Sequence, residues 1–227
     1  ISGTLANINT ELASLTFTPT PGVSGTNAGA IRIQTNDGAG GTDDETVTFD
    51  IIDGNSAPTI ALSDSSLAYT EGENAVPIDV AATLNDADGD ADWNGGTLVA
   101  EITSGAETSD SLSIADTDND NVDIFLWGNN INSKVGNGTE RTIGTLDTSQ
   151  ENTLSVTFND EATNTDVQAV LQSLHYSNSS NDTDNRTITV TATDKNGGTS
   201  SDTRTIAVAS VNDEPTLTAT GSDPTFN

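Results

Sequence analysis

An all-β fold, built as tandem antiparallel β-sandwich repeats with one short helix in each, is predicted by three observations. Segments rich in β-branched residues alternate apolar and polar positions, as in Thr187-Ile188-Thr189-Val190-Thr191-Ala192. Such runs read as strands with one face to a core and one to water. Asn, Asp and Gly clusters bound these runs at the short spacing of sandwich turns. Finally, the chain matches itself. Ile31 to Asp37 aligns with Ile188 to Asp194, an offset of 157 that also carries Gly40-Gly41 onto Gly197-Gly198, Asn55 onto Asn212, Pro58 onto Pro215 and Tyr69 onto Phe226. Upstream the offset becomes 159, where Thr4, Ile8, Leu12, Leu15 and Phe17 meet Thr163, Val167, Leu171, Leu174 and Tyr176. A period of this kind defines the architecture before any single element is placed.

The self-match divides the 227 residues into the last part of one sandwich (1–57), a complete sandwich (58–214) and the first strand of a third (215–227). The chain opens at Ile1, without initiator Met or signal peptide, as an excerpt of a longer chain would. Within the complete unit, strands are expected near 66–71, 76–82, 97–103, 111–115, 122–127, 142–146, 153–158, 174–178, 186–193 and 203–210. Residues 116–146 are the least typical stretch and read as a decorated loop region. The one helix in this unit should start at Thr163, with Asp166 completing a capping-box pair. Val167, Val170, Leu171 and Leu174 then share a face, and His175 falls on the strand that follows.

Composition narrows the function. The chain holds 35 Asp and Glu against 6 Lys and Arg, a formal charge of −29, with no Cys, one His and only 32% hydrophobic residues. Low hydrophobicity with high charge is a signature of disorder, but the alternating segments argue for a folded chain with acidic turns. Absent cysteine excludes disulfides, thiol nucleophiles and thiolate-bound metals. Nucleic acid is disfavoured as a partner, because its phosphates need Lys and Arg. No apolar run is long enough to span a membrane as a helix. A nucleophilic triad would have to use His175, and no Gly-x-Ser-x-Gly elbow accompanies it; the chain is read as non-catalytic.

The acidic turns point to a cation instead. In a sandwich, successive antiparallel strands run between two ends. The loop Asp86-Ala87-Asp88-Gly89-Asp90-Ala91-Asp92 and the turn after strand 186–193 then lie at the same end. This gathers Asp86, Asp88, Asp90 and Asp194 beside the linker residue Asn55. Glu71 meets Asn212 and Asp213 at the other end. Carboxylates so placed, with almost no Lys or Arg nearby, repel one another unless a cation neutralises them. Ca²⁺ takes six to eight hard oxygen ligands in flexible geometry, whereas Mg²⁺ demands a tight octahedron. Zinc prefers the Cys and His ligands that this chain lacks or nearly lacks. Neither Asp116 to Asn121 nor Asp86 to Asp92 has the glycine and glutamate placement of an EF-hand.

The segments Leu12-Ala13-Ser14-Leu15-Thr16-Phe17-Thr18-Pro19, Asp37-Gly38-Ala39-Gly40-Gly41 and Val211-Asn212-Asp213-Glu214-Pro215 resemble the cadherin-like, immunoglobulin-like tandem repeats of very large bacterial surface adhesins, including those secreted by the type I route (RTX-type). The resemblance implies calcium between consecutive domains, with Glu71, Asp86, Asp88, Asn212 and Asp213 in the roles of the early Glu, the Asp-x-Asp loop and the Asn-Asp linker. The first linker, Asn55-Ser56-Ala57-Pro58, lacks the second acid, and no Asp-Arg-Glu element is present in the complete unit. The expected function is a calcium-braced extender or adhesion segment of an extracellular, secreted surface protein. Its partners would be neighbouring repeats and cell-surface or matrix glycans or proteins. The alternative is a carbohydrate-binding module with exposed aromatics. Tyr69 and Tyr176 have aromatic counterparts and read as core; Trp127 reads as packed at the end of a strand, and Trp93, in the acidic loop, is the more open platform.

Overall fold

The computed structural model describes residues 1–19, 24–52, 54–117, 122–180 and 182–212. It is predominantly β and comprises two compact units, Ile1–Gly54 and a second that begins at Asn55. Asp213 and residues 215–227, including Phe226, lie outside the described residues.

The first unit contains α1 (Leu5–Leu12) and the hairpin β1 (Gly25–Asn36) and β2 (Thr42–Ile51). Thr4 caps α1, its side chain accepting from the Asn7 amide at 3.4 Å. The hairpin closes on Asp37, whose Oδ1 accepts the amides of Ala39 and Gly41 at 2.8 and 2.9 Å. No large apolar side chain among the described residues of this unit is fully buried: Ile8, Leu12, Ile31, Ile33 and Phe49 are half-buried, and Leu15, Phe17 and Val47 are exposed.

The second unit runs β3 (Thr59–Ala61), β4 (Leu67–Thr70), β5 (Val76–Pro77), β6 (Thr83–Asn85), a 3-10 turn at Asp90–Trp93, β7 (Thr97–Ser104), β8 (Asp110–Ile114), β9 (Val122–Trp127), β10 (Asn130–Val135), β11 (Arg141–Asp147), β12 (Thr153–Phe158), α2 (Asn164–Gln172), β13 (Leu174–Asn178), β14 (Arg186–Thr193) and β15 (Thr199–Ala209). Eight strands form one sheet in the order β4-β15-β14-β7-β12-β11-β10-β9; β5-β13-β8 and β3-β6 form two smaller ones. Neighbours in the large sheet are antiparallel except β4 and β15, which run parallel with Leu67 opposite Ile206 and Thr70 opposite Ala209.

Alternation sets the core. Ile188, Val190 and Ala192 of β14 are buried while Thr187, Thr189 and Thr191 between them are not. Leu98, Ala100, Leu154 and Val156 of the adjoining strands join one continuous cluster with Tyr69 and Tyr176, whose rings meet edge to face at 5.1 Å. Each large apolar side chain so buried contributes about 1.5–3 kcal/mol. The helix forms as its cap dictates. Thr163 accepts from the Asp166 amide, Asp166 accepts from the Thr163 amide, and Val167, Val170 and Leu171 are buried beneath.

Several expectations need correction. The strand expected over 76–82 is only Val76–Pro77, because Asp79 takes up the amides of Ser63 and Ala81 and turns the chain before β6. The stretch 116–146, read as a loop region with strands at 122–127 and 142–146, also holds β10 and extends the large sheet to its edge at β9. The two tryptophans exchange roles. Trp93 is wholly buried, against Phe158 and with its Nε1 donating to Asn164 Oδ1 at 2.9 Å. Trp127 is 62% exposed, since Val122, Ile124 and Leu126 occupy the core-facing positions of β9 and leave Phe125 and Trp127 on the other face.

The two units share one local geometry. Every paired position from Gly29–Phe49 to Asn36–Thr42 in the first hairpin recurs 157 residues on, from Arg186–Ile206 to Thr193–Thr199. The closing turns agree as well: Asp194 Oδ1 accepts the amides of Asn196 and Gly198 at 2.8 and 2.9 Å, as Asp37 does those of Ala39 and Gly41.

Candidate metal centre

At one end of the second unit, β6 delivers the acidic loop, the β14–β15 turn delivers Asp194, and the segment entering from Asn55 passes between them. Asp86 is 2% exposed. Its Oδ1 accepts the Asp88 amide at 2.9 Å, and its Oδ2 is buried without a hydrogen-bond partner. Gly89, with φ of 91°, makes the bend that starts the 3-10 turn. Burial of Trp93 then winds this turn inward and brings Asp92 to 6% exposure. One carboxylate oxygen from each of Asp86, Asp88 and Asp92 lies within 4.8 Å of the others.

The entering segment is tied to this cluster. Ser56 donates its amide to Asp88 Oδ2 at 2.6 Å, and Asn55 Nδ2 donates to Asp194 Oδ2 at 2.9 Å. Asn196 Nδ2 donates to Asn55 Oδ1 at 2.7 Å and to Asp92 Oδ2 at 3.1 Å. A Cβ on Gly198 would collide with the Asp194 carboxylate and approach Asn55 Nδ2 to 2.7 Å, so the Asn55–Asp194 bond requires glycine at 198.

The structure thus brings together Asn55, Asp86, Asp88 and Asp194. Asp90 is directed elsewhere: its Oδ1 accepts the Asn164 amide at 2.8 Å, at the start of α2. Asp92 stands in the cluster instead, alongside Asn196 and Lys195, none of which the sequence reading selected. The signal for Asp92 was the adjacent tryptophan, whose indole N–H needs a buried acceptor and so anchors the turn. Lys195 also corrects the expectation that basic groups are nearly absent here, because its Nζ lies 2.7 Å from Asp92 Oδ1.

Electrostatics separates the carboxylates. Burial raises the Asp86 pKa, and the negative charges of Asp92, Asp194 and Asp88 raise it further, against the single amide bond from Asp88. For Asp194, burial pushes upward too, but Asn55 and the amides of Gly198 and Asn196 outweigh it and hold its pKa below the ordinary carboxylate value. Asp86 is therefore the group left needing a positive partner. Leaving such a group buried and unpaired costs about 1–3 kcal/mol. Five of the six basic side chains, Arg32, Arg141, Arg186, Lys195 and Arg204, are already in ion pairs. The donor set is all oxygen, as hard divalent cations prefer.

At the other end, Glu71 is 8% exposed. Its Oε1 accepts the Val211 amide at 2.7 Å and its Oε2 is buried without a hydrogen-bond partner. Asn212 follows Val211 directly and is exposed. His175 lies on β13, its Nδ1 2.8 Å from the Ser173 carbonyl oxygen. No helix among the described residues is long and apolar enough to cross a membrane. No protein-family model, curated protein or solved structure matches the chain.

Proposed function

We propose that the chain is a non-catalytic, calcium-braced extender or adhesion segment of a large extracellular surface protein, made of cadherin-like β-sandwich repeats of the type found in secreted bacterial adhesins. The observation that carries this reading is Asp86. A buried carboxylate oxygen without a partner faces two further carboxylates and sits beside a linker that the same cluster holds through Ser56 and Asn55. A divalent cation at Asp86, Asp88 and Asp92 supplies the missing positive charge and stiffens the entry into the second unit. Ca²⁺ is the proposed ion over Mg²⁺ because it accepts hard oxygen ligands in flexible geometry, whereas Mg²⁺ demands a tight octahedron. The shared register of the two hairpins supports the repeat reading, and Glu71 beside Val211 supports a similar role at the exit.

Differential scanning calorimetry with calcium and with EDTA tests the proposal. A ligand bound only by the folded state raises its stability by about 2.7 kcal/mol at a hundredfold excess over Kd. Calcium should therefore raise the melting temperature of the second unit, and Asp88→Asn should abolish most of the rise. Identical melting in both buffers would remove calcium from the proposal.

A second reading, a glycan-binding module, is favoured by one observation. Trp127 is exposed on the edge strand with Phe125 beside it, the rings meeting edge to face at 5.5 Å. A saturable change in tryptophan fluorescence on saccharide titration, lost in Trp127→Ala, would support it.

A further inference from the structure

One of the three clustered carboxylates already has a cation of its own. Asp92 is 6% exposed, and Lys195 Nζ lies 2.7 Å from its Oδ1 while donating to the Ala91 carbonyl oxygen at 3.0 Å. Asn196 Nδ2 donates to Asp92 Oδ2 at 3.1 Å. Both oxygens of Asp92 are thus engaged by the β14–β15 turn, whereas Asp86 Oδ2 in the same cluster is buried and has no partner. The ammonium satisfies Asp92 and leaves Asp86 bare.

Nothing in the turn itself calls for a lysine. The first hairpin closes through the same bond, the Asp37 amide donating to the Gly41 carbonyl as the Asp194 amide does to that of Gly198, with Gly38 where Lys195 stands. What ties the turn to the acidic loop includes a backbone bond, from the Lys195 amide to the Asp92 carbonyl oxygen at 2.8 Å. The side chain can therefore leave without taking the turn with it, and at 37% exposure it has water to leave into.

We infer that Lys195 is an internal competitor for the divalent cation, a tethered ammonium that holds Asp92 in metal-free protein and swings away when an ion takes Asp86, Asp88 and Asp92. This rests on the calcium reading of the site and adds its regulation. An ammonium and a doubly charged ion drawn to one carboxylate repel each other at such short range, even with solvent screening. The lysine has another place to go and the ion does not, so Lys195 is the group released. Its release raises the calcium concentration at which the entry into the second unit stiffens. At low calcium the same ammonium limits repulsion among the acids and keeps the loop in shape. A turn with glycine at this place, like that of the first hairpin, lacks the brake.

The test compares the full chain with its Lys195→Met form, which keeps the side-chain stem and the backbone bond and loses the charge. Lys134→Met serves as the control for net charge, since Lys134, the chain's other lysine, lies on β10 and pairs with none of the three carboxylates. In isothermal titration calorimetry Lys195→Met should bind calcium about three- to tenfold more tightly than wild type, the range of a partly exposed, charge-assisted contact. Lys134→Met should match wild type. Linkage demands the same factor in stability: Lys195→Met should melt lower in EDTA, and the two proteins should melt together in saturating calcium. Acetylation by an N-hydroxysuccinimide ester, read by mass spectrometry, reports the release itself. Labelling of Lys195 relative to Lys134 should rise with calcium and not with sodium chloride of equal ionic strength. Calcium bound only by Lys195→Met would support the inference in its strongest form. Equal affinity in wild type and Lys195→Met, or a labelling ratio that bound calcium leaves unchanged, would overturn the lysine's role while the calcium reading stands. Equal tightening in Lys134→Met would overturn it too, by assigning the effect to overall charge. Silent titrations, with identical melting in EDTA and calcium for both proteins, would overturn the calcium reading and the competitor together.

Discussion

Single carboxylates carry opposite pH signatures in this protein, according to their partners. Asp79 is buried, which alone would raise its pKa, but the amide and hydroxyl of Ser63, the Ala81 amide and Arg204 together hold it below 3.8. It therefore contributes stability that is present above pH 3.8 and is lost as pH falls through its lower native value. Asp86 behaves in the reverse sense. Its raised pKa makes it a liability at neutral pH that protonation relieves as pH falls toward 3.8. In EDTA, urea unfolding should show wild-type stability rising from neutral toward mildly acidic pH relative to Asp86→Asn, and both proteins losing stability below pH 3.8. The same substitution should raise the melting temperature of metal-free protein and cancel any gain from calcium. A variant that melted lower in EDTA would mean that the unpartnered oxygen carries no penalty.

At the scale of elements, the capping box fixes where α2 begins. Thr163→Ala should cost about 1 kcal/mol in chemical denaturation, because it leaves an N-terminal amide of the helix without an acceptor. An unchanged midpoint would assign that amide's satisfaction to another group. This box was legible in sequence because its partners are three residues apart. So were β7, β12 and β14, where alternation, burial and β-branched residues agree. The strand expected over 76–82 failed for the opposite reason: Ile78 and Val80 keep the alternation, but Asp79 between them is bound by groups distant in sequence, Ser63 and Arg204. Much the same holds for the acidic loop. Local sequence placed Asp86 and Asp88 correctly beside Asn55 and Asp194, yet could not distinguish Asp90 from Asp92. That choice depends on Asn164, 74 residues away from Asp90, and on Trp93 finding its place against Phe158.

On the scale of the whole molecule, the two units differ in how much apolar surface they remove from water. Amides of β7, β12 and β14 sit within the buried cluster and should exchange only through global unfolding. Those of β1 and β2 rest on a hairpin with little covered surface and should exchange orders of magnitude faster. Hydrogen exchange followed by mass spectrometry checks this directly, and equal protection in both units would contradict the burial pattern. The parallel pairing of β4 with β15 has a mechanical corollary. Tension applied between Asn55 and Val211 pulls these strands in opposite senses along their length. The four paired positions are then loaded together in shear, without being peeled apart one at a time, so resistance to stretching is set by the joint strength of the seam.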